Sequence, residues 1–134
     1  MVAPIVRYMI VCRDWFSDSD DPAQANIKSI VNTVRPLSDE KFPIVIDQIA
    51  VVLILSSVRG KGTAQIVVVD DETDHPAFGS SPHPMESRNT PLDVRTSVFK
   101  IQDCIIRRPG MYRVQFRYND TVVEEKYLQI REER

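Results

Sequence analysis

The sequence predicts an all-β protein, an antiparallel sandwich of about seven strands in a single domain spanning residues 1–134. Apolar and polar residues alternate with a period of two from Tyr112 to Tyr118, which is typical of a half-buried strand. Short β-branched runs recur between turn signals. The chain has 9 Pro and only 4 Gly, which indicates stiff connections.

The clearest element is a hairpin from Gly110 to Ile130. Pro109-Gly110 is a turn signal, and Asn119-Asp120 can form a two-residue turn because both residue types tolerate positive φ. The predicted register places Val123 opposite Phe116, Val122 opposite Arg117 and Glu124 opposite Gln115. Alternation is lost near Tyr127-Leu128, which predicts a bulge there.

Composition and turn signals predict the remaining strands. In Ser97–Ile106 we expect Phe99, Ile101 and Asp103 to share one face. The segment Ile27–Val34 fits a helix that begins at Asp21-Pro22, but it also fits a strand. The seven predicted strands are Val6–Arg13, Ile27–Arg35, Gln48–Ser57, Thr63–Asp70, Ser97–Ile106, Met111–Tyr118 and Thr121–Ile130.

Two of these strands are apolar on both faces. A two-layer sandwich leaves one face of each sheet in water, so such strands need a cover. The long Pro-rich loop Asp71–Thr96 could supply it, or another protein chain could. The outward-facing residues are therefore the candidates for an interface: Ala50, Val52, Ile54, Val67 and Val69.

Few residues suggest catalysis or metal binding. No Ser or Cys lies in a nucleophile motif, so we predict that the protein is not an enzyme and needs no cofactor. His75, His83 and Asp74 are weak ligand candidates in the long loop, but a zinc site needs three or four converging ligands. An acidic loop at Asp14–Asp21 lacks the residues of a calcium-binding EF-hand loop. We therefore predict no metal site.

Charge and hydropathy restrict the partners. The net charge of -2 gives no reason to expect a nucleic-acid partner, and no apolar run is long enough to span a bilayer. Arg107, Arg108, Arg113 and Arg117 could form a basic patch, but Glu124 and Glu125 can neutralise it. Residues 1–11 lack the features of a secretory signal, so we expect a cytoplasmic protein whose Cys12 and Cys104 are buried thiols.

Five segments carry a resemblance to known proteins: Cys12-Arg13-Asp14, Asn26–Val31, Phe42-Pro43, Gly62–Val69 and Pro109–Val114. Through them the chain resembles an uncharacterised bacterial family of small immunoglobulin-like β-sandwich domains. The resemblance implies that Ile27–Val34 is a strand, and it implies no known activity. Tyr112 also resembles the tyrosine corner of immunoglobulin-like folds, where the hydroxyl bonds to upstream backbone.

The leading functional hypothesis is a non-catalytic interaction or structural module that binds a protein partner or forms a homo-oligomer. The alternative is a ligand-binding, metal-binding or hydrolytic domain that uses the 71–96 loop. Neither nucleic acid nor a membrane is predicted as a partner.

Overall fold

The computed structural model describes residues 3–18, 21–36, 41–86 and 94–132, and in this part of the chain it contains ten strands and no helix. The prediction of an all-β protein is therefore confirmed. The strands are β1 (Ile5–Asp18), β2 (Asp21–Ile30), β3 (Thr33–Val34), β4 (Ile44–Ser56), β5 (Lys61–Asp70), β6 (Pro76–Gly79), β7 (His83–Glu86), β8 (Arg95–Ile106), β9 (Gly110–Tyr118) and β10 (Thr121–Ile130).

The strands form two sheets that pack face to face. The four-stranded sheet has the order β2-β1-β4-β8, and the six-stranded sheet has the order β3-β10-β9-β5-β6, with β7 also paired to β5. All pairs are antiparallel except that of the short β3 with β10. The placement of β1, β4 and β8 opposite β10, β9 and β5 is that of an immunoglobulin-like sandwich. The predicted fold class is confirmed, with one short parallel pair added.

The core lies between the sheets and is filled by alternate residues of the central strands. Along β4 every second side chain from Ile49 to Leu55 is fully buried. Phe116 is the largest fully buried side chain on the opposite sheet. This period of two is the same pattern that predicts the strands from the sequence.

The C-terminal hairpin forms as predicted, but its register differs beyond the turn. Val122 pairs with Arg117, as expected, whereas a bulge at Val123 places Glu124 opposite Phe116 and Glu125 opposite Gln115. The predicted pairs of Val123 with Phe116 and of Glu124 with Gln115 are therefore wrong, as is the predicted bulge at Tyr127-Leu128. The bulge beside the turn lets Val123 pack against the core while Leu128 and Ile130 still point inward.

The N-terminal segment is extended rather than helical. The helix considered for Ile27–Val34 is wrong, because Ile27–Ile30 belongs to β2 and Thr33–Val34 forms β3. The segment predicted as an acidic loop is mostly a hairpin, with Asp14 and Asp18 in β1 and Asp21 in β2. Asp20 lies outside the described residues. The segment is a hairpin because β1 and β2 pair on both sides of the tip, for example Trp15 with Ile27.

The long Pro-rich segment is not one loop. It contains β6 and β7, which pair with successive halves of β5 and thereby close an edge of the six-stranded sheet. Pro76 and Pro84 lie in these edge strands, where a missing backbone N–H is tolerated. Residues 87–93 lie outside the described part of the chain. The described part of the segment thus covers an edge of β5.

Strict alternation also fails once in β8. Asp103 was expected to share a face with Phe99 and Ile101, but it is exposed, and Cys104 and Ile106 point inward instead. Asp103 has a φ of 55°, and this left-handed conformation reverses the facing of the residues beyond it. The expected placement of Asp103 is therefore wrong because one residue leaves the extended conformation.

Candidate functional site

Apolar side chains from three strands meet on the outer face of the four-stranded sheet. Residues paired across antiparallel strands share a face. The pairs here are Tyr8 with Ile54, Ile10 with Val52, Val52 with Val98, and Cys12 with Ala50. We call this set the outer apolar cluster, because it lies on the side of the sheet turned away from the core.

The centre of the outer apolar cluster is buried within the chain itself. Cys12 is 0% exposed, and Ala50 and Val52 are each 1% exposed. Partly buried side chains pack against these three: Ile10, Trp15, Ile27 and Val98. Trp15 and Ile27 belong to the far part of the β1–β2 hairpin, so in the described part of the chain this hairpin covers the face.

One backbone conformation aims the hairpin at the cluster. Cys12 pairs with Ile30 and Asp14 pairs with Lys28, and between these pairs Ser29 has a φ of 58°. By strict alternation Trp15 would point to the same side as Met9 and Val11, which is the core side. The left-handed Ser29 reverses the facing, as Asp103 does in β8, so Trp15 and Ile27 pack beside Cys12.

The rim of the outer apolar cluster is exposed. Tyr8 is 60% exposed and Ile30, the partner of Cys12 on the edge strand β2, is 70% exposed. Ile54 beside Tyr8 is partly buried. An antiparallel sheet that faces water on one side normally places polar residues there, so this rim is unusual for a solvated face.

The five interface candidates therefore differ in accessibility. Ala50 and Val52 lie under the hairpin, and Val67 and Val69 on the six-stranded sheet are only 5% and 3% exposed. Ile54 alone among them is partly accessible. Tyr8, Trp15 and Ile27 are not among the sequence-predicted candidates. The available signal was Trp15, the only tryptophan of the chain, which lies with Phe16 in an acidic segment.

Polar side chains accompany Val67 and Val69 on the outer face of the six-stranded sheet. Val67 pairs with Gln115 and Val69 with Arg113. Arg117 donates from Nε and Nη2 to Gln115 Oε1, at 3.1 and 2.7 Å. Gln115 Nε2 in turn donates to Glu125 Oε2 at 3.1 Å. A hydrogen-bonded row of polar side chains thus shares this face with the two valines.

The predicted neutralisation of the arginines is carried by different acids than expected. Arg113 forms ion pairs with Asp71 at 2.9 Å, with Asp74, and with Glu125 at 3.9 Å. Glu125 was an expected partner, whereas both aspartates come from the turn after β5. The row from Arg113 to Arg117 with these acids is called the outer polar network below.

A second ion pair holds the turn before β9. Arg108 binds both carboxylate oxygens of Asp70, at 2.8 and 2.9 Å. Hydrogen bonding from Arg108 lowers the pKa of Asp70 below its usual value, against the opposing effect of burial. Tyr112 Oη donates to the Arg108 carbonyl at 2.7 Å, which confirms the predicted tyrosine corner.

The loop residues considered for a ligand or metal are kept apart. Asp74 is an ion-pair partner of Arg113, and the His83 ring packs edge-on against Phe99 with centroids 5.7 Å apart. His75 is exposed. In the part of the chain that the structure describes, no group of three His, Cys, Asp or Glu residues is placed to hold a metal ion.

The two cysteines are free thiols on opposite sides of the four-stranded sheet. Cys12 lies in the outer apolar cluster and Cys104 lies in the core. Burial raises the pKa of both thiols, that of Cys104 to about 11. Among the residues that the structure describes, there is no helix with the length and apolarity of a membrane span.

Comparison with known proteins gives only distant structural similarity. No protein-family model matches the chain, and no curated protein sequence matches it. The chain is similar to a β-glucosidase from Listeria innocua, in a complex with isofagomine (14% identity, TM-score 0.45, 63% of this chain and 14% of that chain). It is similar also to a mutant of that enzyme with laminaribiose (13% identity, TM-score 0.46, 65% and 14%). A third structure of the enzyme gives 12% identity, a TM-score of 0.45, and 75% and 14% coverage. The chain thus spans 14% of that enzyme's length, and the similarity carries no inference about activity.

Proposed function

We propose that the protein is a non-catalytic interaction module that self-associates through the outer face of its four-stranded sheet. The observation that carries this proposal is the apolar rim on a face that water would otherwise contact. Tyr8 is 60% exposed beside the partly buried Ile54. Exposed apolar patches on soluble domains mark interaction surfaces more often than scattered single residues do.

A second copy of the chain is the occupant to which we commit. A two-fold interface brings the same patch of both subunits together, so a patch that binds itself must not carry one sign of charge. The side chains of Tyr8, Ile10 and Ile54 are uncharged, and the net charge of the chain is only -2. Two copies can therefore approach without strong repulsion.

Molar mass measured by light scattering, from micromolar to millimolar concentration, tests the proposal. We expect the mass to rise from 15.4 kDa toward twice that value. Tyr8→Glu and Ile54→Glu should each hold the chain at the monomer mass, because a charge at the centre of an apolar contact is left unpaired.

The matched control is Tyr127→Glu. Tyr127 is 57% exposed on the other sheet, so this substitution should leave the concentration dependence unchanged. A mass of 15.4 kDa at every concentration would overturn self-association. Loss of association in the Tyr127→Glu variant alone would place the contact on the six-stranded sheet and would contradict the proposed interface.

We also propose that the protein works in the cytoplasm. Its two cysteines are free and buried on opposite sides of one sheet, a use of cysteine that suits a reducing compartment. Cell fractionation with an antibody to the native protein tests this, and recovery in an oxidising compartment would contradict it.

A further inference from the structure

The far part of the β1–β2 hairpin lies outside the main sheet ladder. β1 pairs with β4 only as far as Cys12 with Ala50. Beyond that point the register joins β1 to β2 alone, from Asp14 with Lys28 to Asp18 with Asp21. β2 nevertheless comes close to β8, although the two strands are not neighbours in the sheet. The hairpin is therefore folded back over the outer face.

Among the hairpin side chains that the structure describes, two apolar ones attach the hairpin to that face. Trp15 and Ile27 are partly buried and pack on the outer apolar cluster. Their neighbours Asp14, Asn26 and Lys28 are exposed. By comparison, β4 from Ala50 to Leu55 pairs with β1 on one side and with β8 on the other. A two-stranded segment outside the main ladder opens at a lower free energy than a strand paired on both sides.

We propose that the part of the β1–β2 hairpin that carries Trp15 and Ile27 is a cover, which lifts from the outer face while the sandwich stays folded. Lifting exposes Cys12, Ala50 and Val52 and so enlarges the apolar surface that a partner can contact. The role toward a partner rests on the proposed function, whereas the lifting itself does not. The hairpin then sets how much of the outer face is presented at any time.

The chain contains a matched pair of probes for this motion. Cys12 is 0% exposed under the cover, and Cys104 is 1% exposed in the core. A lifted hairpin uncovers only Cys12, whereas Cys104 also packs near β6 and needs the sandwich to open. Comparing the two thiols therefore separates local opening from global unfolding.

The experiment is the labelling of each thiol alone with an excess of an aryl disulfide reagent. Cys104→Ala leaves Cys12 as the single thiol, and Cys12→Ala leaves Cys104. At low protein concentration we expect Cys12 to react at least about tenfold faster than Cys104. Its rate should also change little with low urea, because lifting exposes little surface, while that of Cys104 follows the global slope.

Substitutions in the hairpin and outside it provide the controls. In the Cys104→Ala background, Trp15→Ala should raise the rate at Cys12, and Tyr127→Ala should leave it unchanged. Equal rates for the two thiols with the same urea dependence would overturn the proposal. So would a Cys12 rate that Trp15→Ala does not change.

The same measurement separates this proposal from the proposed function. If the chain self-associates through the outer face, the rate at Cys12 falls as the protein concentration rises, because the second copy protects the thiol. A fast Cys12 rate that is independent of protein concentration supports the cover and contradicts self-association. A slow rate equal to that of Cys104 contradicts the cover, whatever the molar mass.

Discussion

The two sheets of this sandwich cover the outward side chains of their doubly apolar strands in different ways. On the four-stranded sheet, Ala50 and Val52 lie under apolar side chains of a folded-back hairpin. On the six-stranded sheet, Val67 and Val69 share their face with the outer polar network. Both solutions leave the valines almost fully buried.

The difference explains why apolarity on both faces does not by itself locate an interface. Long arginine and glutamine side chains can cover apolar surface with their stems while their polar ends form hydrogen bonds. A face covered in this way presents polar groups to water. On the four-stranded sheet, Trp15 and Ile27 cover the centre of the outer apolar cluster and leave Tyr8 exposed as an apolar rim.

The largest expected effect comes from removing the side chain that anchors the hairpin. Trp15→Ala removes part of the apolar cover, and burial of about 100 Å² at about 25 cal/mol per Å² predicts a loss of about 2.5 kcal/mol in the free energy of unfolding. Urea denaturation measures it. Tyr127→Ala, an exposed aromatic on the other sheet, should change stability by less than about 0.5 kcal/mol. Equal losses of unfolding free energy in the two variants would mean that the packing of Trp15 on the outer apolar cluster does not stabilise the protein.

A matched pair of substitutions compares the two covers directly. Val52→Thr and Val67→Thr each add a hydroxyl at nearly constant volume. Under the hairpin the hydroxyl meets only apolar neighbours and should cost about 1–2 kcal/mol. Beside Gln115 it has polar groups on the same face and should cost less than about 1 kcal/mol. Equal losses of unfolding free energy, measured by urea denaturation, would show that a hydroxyl finds hydrogen-bond partners equally well on the two faces.

Much of this fold could be predicted from the sequence because it depends on local patterns. The hairpin β9–β10 follows from alternation and from the Asn119-Asp120 turn, in which both residues have positive φ. The details that failed depend on single backbone conformations. Val123 bulges, and Ser29 and Asp103 adopt left-handed φ, which no pattern of apolar residues in the sequence indicates.

The candidate site could be predicted only in part for a different reason. The sequence shows that Ala50 and Val52 need a cover, but which segment supplies it depends on long-range packing. The Pro-rich segment closes an edge of β5, and the hairpin reaches the face of β4. No pattern of apolar residues in the sequence distinguishes the segment that packs on the sheet face from the one that pairs at its edge.

Two buried tyrosines of β9 test how much a hydroxyl hydrogen bond contributes to stability in the six-stranded sheet. Tyr112 and Tyr118 are each 2% exposed, but Tyr112 Oη donates to the Arg108 carbonyl, whereas Tyr118 Oη has no hydrogen-bond partner among the described residues. Tyr112→Phe should cost about 1 kcal/mol, because it leaves a carbonyl unpaired. Tyr118→Phe should be neutral or stabilising, because it removes an unsatisfied buried hydroxyl. Thermal unfolding of both variants decides this, and a larger loss at Tyr118 would contradict the assignment.

The smallest effect at neutral pH, and the one most specific to the six-stranded sheet, is the loss of stability in acid that comes from the ion pair of Asp70 with Arg108. The pKa of Asp70 is lowered in the folded state, so the native protein binds fewer protons there than the unfolded chain does. Its contribution to stability is therefore complete above the unfolded value of about 3.9 and is lost as the pH falls through the lower folded value.

The difference in unfolding free energy between the parent protein and Asp70→Asn should accordingly shrink between neutral pH and about pH 3. A difference that stays constant with pH would mean that the bond from Arg108 does not hold Asp70 in its charged form.

The outer apolar cluster contains no carboxylate, so the loss of unfolding free energy in Trp15→Ala should stay constant over the same pH range. The two sheets should therefore differ in how their stability responds to acid.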